Sequence, residues 1–343
     1  MPQPPETPAA PPASRVACGL DFERDGVSHD YLIVPHSRDD SAWGAVQVPI
    51  SQIQNGPGPT VLLVGGNHGD EYEGQVALLK LARQLDPASI RGRVLVIPAL
   101  NLPAAQAGRR TSPIDGGNMN RAFPGRRDGT VTEMIAHFVT SRLLPLADAV
   151  LDLHSGGKTL NFTPSAIIHQ LPDPRLMADS LAALQAFGAP LGLVLEELDD
   201  AGMLDGEVER RGKLFLSTEL GGGGTLTPNT LRIAEDGIRR FLAHLQVLDP
   251  ALAPPPGPPT RLMHTPDPEC FVSGHESGLF EPLAELGETV EKNQPIARIH
   301  FHQSHLQTPV THHAKTNGTI VCRHNPGLTQ AGDCLAVLAQ PYA

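Results

Sequence analysis

Four short stretches hold most of the side chains able to do chemistry: Gly65-Gly66-Asn67-His68-Gly69-Asp70-Glu71, Asp115-Gly116-Gly117-Asn118-Met119-Asn120-Arg121, Asp152-Leu153-His154-Ser155-Gly156-Gly157, and Thr218-Glu219-Leu220 with its four following glycines. His68 and Glu71 are three residues apart, and Gly69 lets the backbone bend between them. An imidazole and a carboxylate at that spacing can turn onto one cation. A catalytic zinc takes three protein ligands and keeps one position for water. His154, at the end of the apolar run 149–153, is the candidate for the third ligand. Asp152 is the candidate acceptor for its other ring nitrogen. A strand-end histidine alone is an ordinary polar residue. Joined to His-x-x-Glu behind a Gly-Gly turn, it reads as part of a metal site.

Glu219 sits at a strand end beside a backbone that a ligand can approach closely. That position suits a general base, which takes a proton from the attacking water and passes it to the leaving amine. Burial would raise its pKa into the working range. The plainer alternatives are a fourth metal ligand or a salt-bridge partner for an arginine. Between the metal stretches runs a polar loop, 101–127, with Arg109, Arg110, Asn120 and Arg121. A guanidinium fork matches a carboxylate, and one arginine can instead polarise a carbonyl and hold its oxyanion. Such a loop is otherwise a solvated surface, but here Pro and Gly set its turns.

These residues need a sheet edge to bring them together. The run Val61–Val64 is rich in β-branched residues and reads as a buried strand, and after Glu71 the apolar spacing turns helical. Similar strand–helix units follow, with strands expected at 93–97, 149–153, 165–169, 190–196 and 213–218 and helices at 72–85, 130–144, 173–187, 201–211 and 228–247. Two alternating segments, 28–34 and 43–49, suggest antiparallel edge strands. The expected fold is α/β, a mixed, mostly parallel sheet with helices on both faces, followed by a small C-terminal all-β, barrel-like domain. Open α/β sheets bind ligands at the carboxyl ends of their strands. The corresponding division is a Pro-rich disordered tail at 1–14, an α/β domain at 15–250, a Pro-rich linker at 251–260 and a β domain at 261–343 capping the active site.

The chain has 343 residues, with 26 Lys+Arg against 37 Asp+Glu. Its acidity and the lack of any basic run argue against nucleic acid or an anionic membrane as partner. No apolar run reaches membrane-span length, and the N-terminus lacks a signal-peptide pattern. A cytoplasmic protein is expected, and a homo-oligomer is compatible with this composition. The four cysteines, Cys18, Cys270, Cys322 and Cys334, form no CxxC pair and read as reduced thiols.

Taken together, GGNHGDE, DGGNMNRAFPG, DLHSGG and TELGGGG resemble the succinylglutamate desuccinylase/aspartoacylase family, relatives of the zinc carboxypeptidases. The resemblance covers about residues 50 to 340, and it is the order of the motifs that makes it specific. It implies one Zn²⁺ per chain on His68, Glu71 and His154, with Glu219 as the catalytic glutamate. Asn120 and Arg121 match the pair that holds the substrate α-carboxylate. Arg110 best matches the carbonyl-polarising arginine, and Arg109 is adjacent to it. The implied activity is hydrolysis of the amide of a small N-acylated amino acid. The longer phrases look most like the branch that deacetylates N-acetyl-diaminobutyrate in ectoine breakdown.

One departure bears on the substrate side chain. Family members acting on aspartate- or glutamate-type substrates place an arginine before the catalytic strand. Here that segment, Glu207–Gly212, mixes acid and base, and Glu196, Glu197, Asp199, Asp200 and Asp205 precede it. A substrate ammonium would favour such an acidic wall, although charged residues are more often a solvated face. The histidines at 300, 302, 305, 312 and 313 read as mostly surface, with one of them expected to reach over the active-site mouth. Two other functions fit the same residues: a metallocarboxypeptidase on short peptides, and a binding or scaffold protein that has lost catalysis.

Overall fold

The structure is a computed structural model that describes residues 13–196 and 201–342. The first strands are β1 (Gly26–Pro35), β2 (Ala45–Asn55), β3 (Thr60–Gly65), β4 (Gly92–Ile97) and β5 (Ala149–His154). They are followed by β6 (Leu160–Phe162), β7 (Ser165–His169), β8 (Leu191–Leu195), β9 (Leu214–Glu219) and β10 (Arg261–Thr265). The helices are α1 (Tyr72–Gln84), α2 (Leu102–Ala107), α3 (Val131–Phe138), α4 (Pro174–Phe187), α5 (Leu204–Glu209) and α6 (Pro228–His244). The C-terminal strands are β11 (Phe271–Ser273), β12 (Gly278–Pro282), β13 (Thr289–Val290), β14 (Pro295–His300), β15 (Val310–His313), β16 (Gly318–His324), β17 (Leu328–Thr329) and β18 (Cys334–Pro341).

The main sheet runs β1-β2-β4-β3-β5-β9-β7-β8-β10-β18-β16-β13, so it is mixed. β4, β3, β5 and β9 are parallel neighbours, and β7 returns antiparallel to β9. Strand alternation assigns the faces. Val61 and Leu63 pack with α1, α4 and α6, whereas Leu62 and Val64 pack with α3 and α5. The sheet is therefore covered on both sides. Along α1 the buried residues Ala77, Leu78, Leu81 and Ala82 recur at helical spacing. Truncating one of these leucines would cost about 2–5 kcal/mol.

Caps fix the helix starts. Thr130 accepts from the Glu133 amide and Glu133 returns the bond, closing a capping box on α3. Asp173 caps α4 ahead of Pro174, and Thr227 caps α6 ahead of Pro228. Two segments differ from expectation. The loop 101–127 contains the short helix α2, and the helix expected at 130–144 ends as α at Phe138 before one π turn, Val139–Leu143.

The ladder does not stop at the Pro-rich stretch 251–260. β10 lies parallel to β8 and antiparallel to β18, which carries the main sheet into the C-terminal strands. A second, four-stranded antiparallel sheet, β15-β14-β12-β17, completes that region. All four cysteines are free thiols, with Cys270 and Cys322 buried. Most of the tail expected at 1–14 lies outside the described residues. Among the described residues no helix is long and apolar enough to cross a membrane.

Candidate active site

At the end of β3 the chain turns through Gly66, whose φ of 62° favours glycine. The turn sets Asn67 and His68 into the interior, and the Gln75 side chain from α1 donates to the carbonyls of Gly69 (3.1 Å) and Glu71 (2.8 Å). Gly74 lies against Leu153, so α1 starts directly beside the end of β5. Glu71 is thereby delivered to His154.

The three proposed ligands converge. His68 Nδ1 is 2.7 Å from Glu71 Oε1, and His154 Nδ1 is 2.8 Å from Glu71 Oε2. The two rings are 5.0 Å apart, and all three residues are buried. The outer nitrogens are both occupied. His68 Nε2 donates to Asn118 Oδ1 at 3.2 Å, and His154 Nε2 donates to Asp152 Oδ2 at 2.9 Å. Asn67 Nδ2 donates to the same aspartate oxygen at 2.7 Å. With a metal bound and the outer nitrogens protonated, both inner nitrogens would turn their lone pairs to it beside the Glu71 carboxylate. Three acceptors facing one point require a cation, and two imidazoles with a carboxylate are the donor set of a catalytic zinc site. The residues fit that metal. Among the described residues this is the one such cluster.

Without the metal, Glu71 and the two imidazoles pair with one another instead. Burial alone would raise the Glu71 pKa, but the imidazoles of His154 and His68 override it and hold the carboxyl well below the usual range. Burial lowers His68 despite Glu71. For His154 burial is outweighed by Asp152 and Glu71 together, and its pKa is raised.

Glu219 stands apart from this ion pairing. It ends β9 beside His154, and Phe215, Ser217 and Glu219 alternate onto one cavity wall. Its Oε2 is sealed from solvent and has no hydrogen-bond partner among the described residues. Burial, followed by the charge of Glu71, pushes its pKa up to about 8. A carboxyl in that state is suited to exchange protons near neutrality.

The cavity, about 380 Å³, takes in His68, His154, Glu219, Arg110, Asn120 and Arg121. Arg110 Nη1 lies 3.2 Å from His68 Nδ1 and 3.7 Å from Glu71 Oε1. Arg109 is exposed and outside the cavity wall, so the structure does not bring it to the substrate side. Both arginines follow the left-handed turn at Gly108, and of the two only Arg110 lines the cavity. Asn120 Oδ1 accepts from the Leu204 amide (3.1 Å) and from Asn67 Nδ2 (3.3 Å), which leaves its NH₂ as a donor. The guanidinium of Arg121 is anchored on the Asn120 carbonyl at 2.6 Å.

Several contributors escaped sequence reasoning. Asn118, which orients His68, had a legible signal, lying two residues before Asn120 in the same phrase. Ser155, whose amide donates to Glu71 Oε2 at 3.2 Å, and Phe271, which brings the C-terminal region to the cavity wall, had none. Of the acidic segment, Glu196 and Asp205 line the cavity, while Glu197, Asp199 and Asp200 lie outside the described residues. Glu207 instead pairs with Arg210 and Arg211. None of the histidines from 300 to 313 reaches the cavity wall, contrary to the expectation for one of them. His300 pairs with Glu281 on β12 (2.7 Å) and the buried His312 with Glu276 in the turn between β11 and β12 (3.0 Å), carboxylates distant in sequence.

Comparison with known proteins adds to this geometry. Residues 57–245 match the model of the succinylglutamate desuccinylase/aspartoacylase catalytic domain. The chain is 46% identical over 327 residues to N-alpha-acetyl-L-2,4-diaminobutyric acid deacetylase of Halomonas elongata, covering 95% of each chain. The product-bound structure of the ectoine utilization protein EutE (DoeB) from Ruegeria pomeroyi is similar, with 46% identity and a TM-score of 0.92 over 96% of this chain and 99% of that one. A succinylglutamate desuccinylase/aspartoacylase from Rhodobacter sphaeroides aligns with 41% identity and the same TM-score of 0.92, over 96% of this chain and 100% of that one.

Proposed function

The chain belongs to the succinylglutamate desuccinylase/aspartoacylase family, and from that premise we propose that it hydrolyses N-acetyl-L-2,4-diaminobutyrate to acetate and L-2,4-diaminobutyrate in ectoine degradation. It is a hydrolase acting on the amide of an N-acetylated amino acid. His68, Glu71 and His154 hold one Zn²⁺, which supplies Lewis-acid polarisation and lowers the pKa of water at the site. Cobalt or manganese would satisfy the same mixed nitrogen and oxygen donors.

The chain's own residues do the rest. The NH₂ of Asn120 and the guanidinium of Arg121 take the α-carboxylate and so fix where the scissile amide lies. Arg110 faces the carbonyl oxygen and offsets the negative charge that develops there. Glu219 accepts a proton from the water as its oxygen attacks the acetyl carbon. It returns that proton to the amide nitrogen as the C–N bond breaks, releasing the amine and acetate. Asp152 and Asn118 keep both imidazoles in the tautomer that directs lone pairs inward. The region beyond residue 260, through Phe271, caps the cavity against larger substrates.

The observation that carries this reading is the Glu219 Oε2, unpartnered among the described residues, sharing a cavity with two imidazoles and a carboxylate. The test compares kcat/KM for N-acetyl-diaminobutyrate, N-acetyl-aspartate and a dipeptide. The diaminobutyrate amide should lead by at least about 10²-fold, as expected where a buried polar site discriminates. A dipeptide turned over best would establish the peptidase reading instead.

A further inference from the structure

The cavity is polarised. Its lining includes the arginines Arg110 and Arg121 and, apart from Glu219, the carboxylates Asp205 and Glu196, and among the described residues no lysine. Asp205 lies in the first turn of α5, where Oδ1 accepts the Gly206 amide at 2.6 Å. Its Oδ2 is 3.9 Å from His169 Nε2, too far for a hydrogen bond, and accepts none from the described residues. His169 also lines the cavity but is held by Glu209, with Nδ1 3.1 Å from both carboxylate oxygens. Asp205 and Glu209 therefore both flank the His169 imidazole.

The position of Asp205 is tied to the carboxylate clamp. The Leu204 amide donates to Asn120 Oδ1, and the Phe123 amide donates to the Gly202 carbonyl at 2.9 Å. Gly202 packs so closely on the Arg121 backbone that a Cβ would stand 2.5 Å from the Arg121 carbonyl oxygen. The segment bearing Asp205 and the Asn120–Arg121 pair therefore move as one piece, which fixes the distance from the clamp to the acid.

We propose that Asp205 is the specificity-determining residue of this cavity, its Oδ2 binding the side-chain ammonium of an N-acylated ω-amino acid whose α-carboxylate is held by Asn120 and Arg121. The assignment rests on the deacetylase reading and deepens it. It predicts that an ammonium is accepted and a side-chain carboxylate disfavoured, because the anion would meet Asp205, with Glu209 behind His169. Burial raises the Asp205 pKa in the empty cavity, and a docked ammonium would counter that by favouring the ionised form.

The test compares N-acetyl-diaminobutyrate with N-acetyl-2-aminobutyrate, which lacks only the ammonium. The wild type should prefer the cationic substrate by about 10- to 150-fold in kcat/KM, the range of a hydrogen bond between charged groups. Asp205→Asn should remove most of that preference, with kcat/KM for the cationic substrate falling about 10-fold or more further than for the neutral one, and Asp205→Glu should keep the sign of the preference. Equal loss on both substrates in Asp205→Asn would overturn the assignment, as would a wild type without preference. Calorimetric binding of free diaminobutyrate and of 2-aminobutyrate to wild type and Asp205→Asn reads the same difference without turnover. If neither amide is cleaved, the deacetylase reading fails, and that binding comparison still decides whether Asp205 recognises the ammonium.

Discussion

Replacing Gly74 by alanine should damage catalysis far more than stability. A Cβ at this position would stand 2.5 Å from Leu153 Cβ and 2.8 Å from the Leu153 carbonyl oxygen. Carbon atoms pack comfortably at about 3.5–4.0 Å, so α1 would have to withdraw from β5 by roughly 1 Å. The overpacking costs about 1–3 kcal/mol, and alanine returns about 1 kcal/mol of helix propensity. The net loss of stability is thus small, at most about 2 kcal/mol. The geometric consequence is larger, because Glu71 immediately precedes α1 and His154 immediately follows Leu153. Moving one from the other disturbs the 2.8 Å contact between Glu71 Oε2 and His154 Nδ1. A displacement near 1 Å in a reacting constellation costs about 10²-fold in rate. Urea unfolding and steady-state kinetics on the same preparation provide the assay. A variant with wild-type kcat/KM, or one whose activity falls only as far as its folded fraction, would refute the claim that this close approach positions the ligands.

Asp152→Asn should weaken metal affinity by about 10- to 100-fold with the ligands intact, read by chelator competition, because the partner orienting His154 is changed. Arg110→Ala should lower kcat by about 10²–10³-fold, whereas Arg109→Ala, on an exposed side chain, should change it less than about threefold. In the metal-free protein the Glu219 pKa is about 8 against an ordinary 4.5, so the folded state keeps its proton after the unfolded state has released it. Stability is then full below about pH 4.5 and falls as pH rises toward 8, by a few kcal/mol at most. Unfolding midpoints of the metal-free protein at pH 5 and pH 8 should show a smaller fall for Glu219→Gln than for the wild type.

Much of this molecule was legible in its sequence for a physical reason. Buried parallel strands such as Val61–Val64 must be apolar on both faces, and the glycines that end them must bend, so the strand-end histidines and Glu219 stand out. Side chains that point the same way from a strand follow from its period of two, which is why Asp152 and His154 meet. What stayed hidden depends on contacts distant in sequence. β10 pairs with β8 across a Pro-rich stretch that reads as a boundary, because nothing local encodes a parallel partner. α2 lies in a polar loop and runs Leu-Pro-Ala-Ala-Gln-Ala, too short and uniform to show a helical stripe. Arg109 and Arg110 are indistinguishable by type, and only the fold decides which one reaches His68. The partners of His300 and His312 are carboxylates on β12 and in the turn before it, beyond any spacing rule.

The account stands most directly on the turnover of N-acetyl-diaminobutyrate by Glu219→Gln in its metal-loaded form. Glutamine keeps the shape of the side chain but cannot carry a proton from water to the leaving amine. A loss of about 10²–10⁴-fold in kcat is predicted, the range for removing a general acid–base group. A variant that turns over within a few-fold of the wild type would contradict the assignment of Glu219 and the proton route built on it.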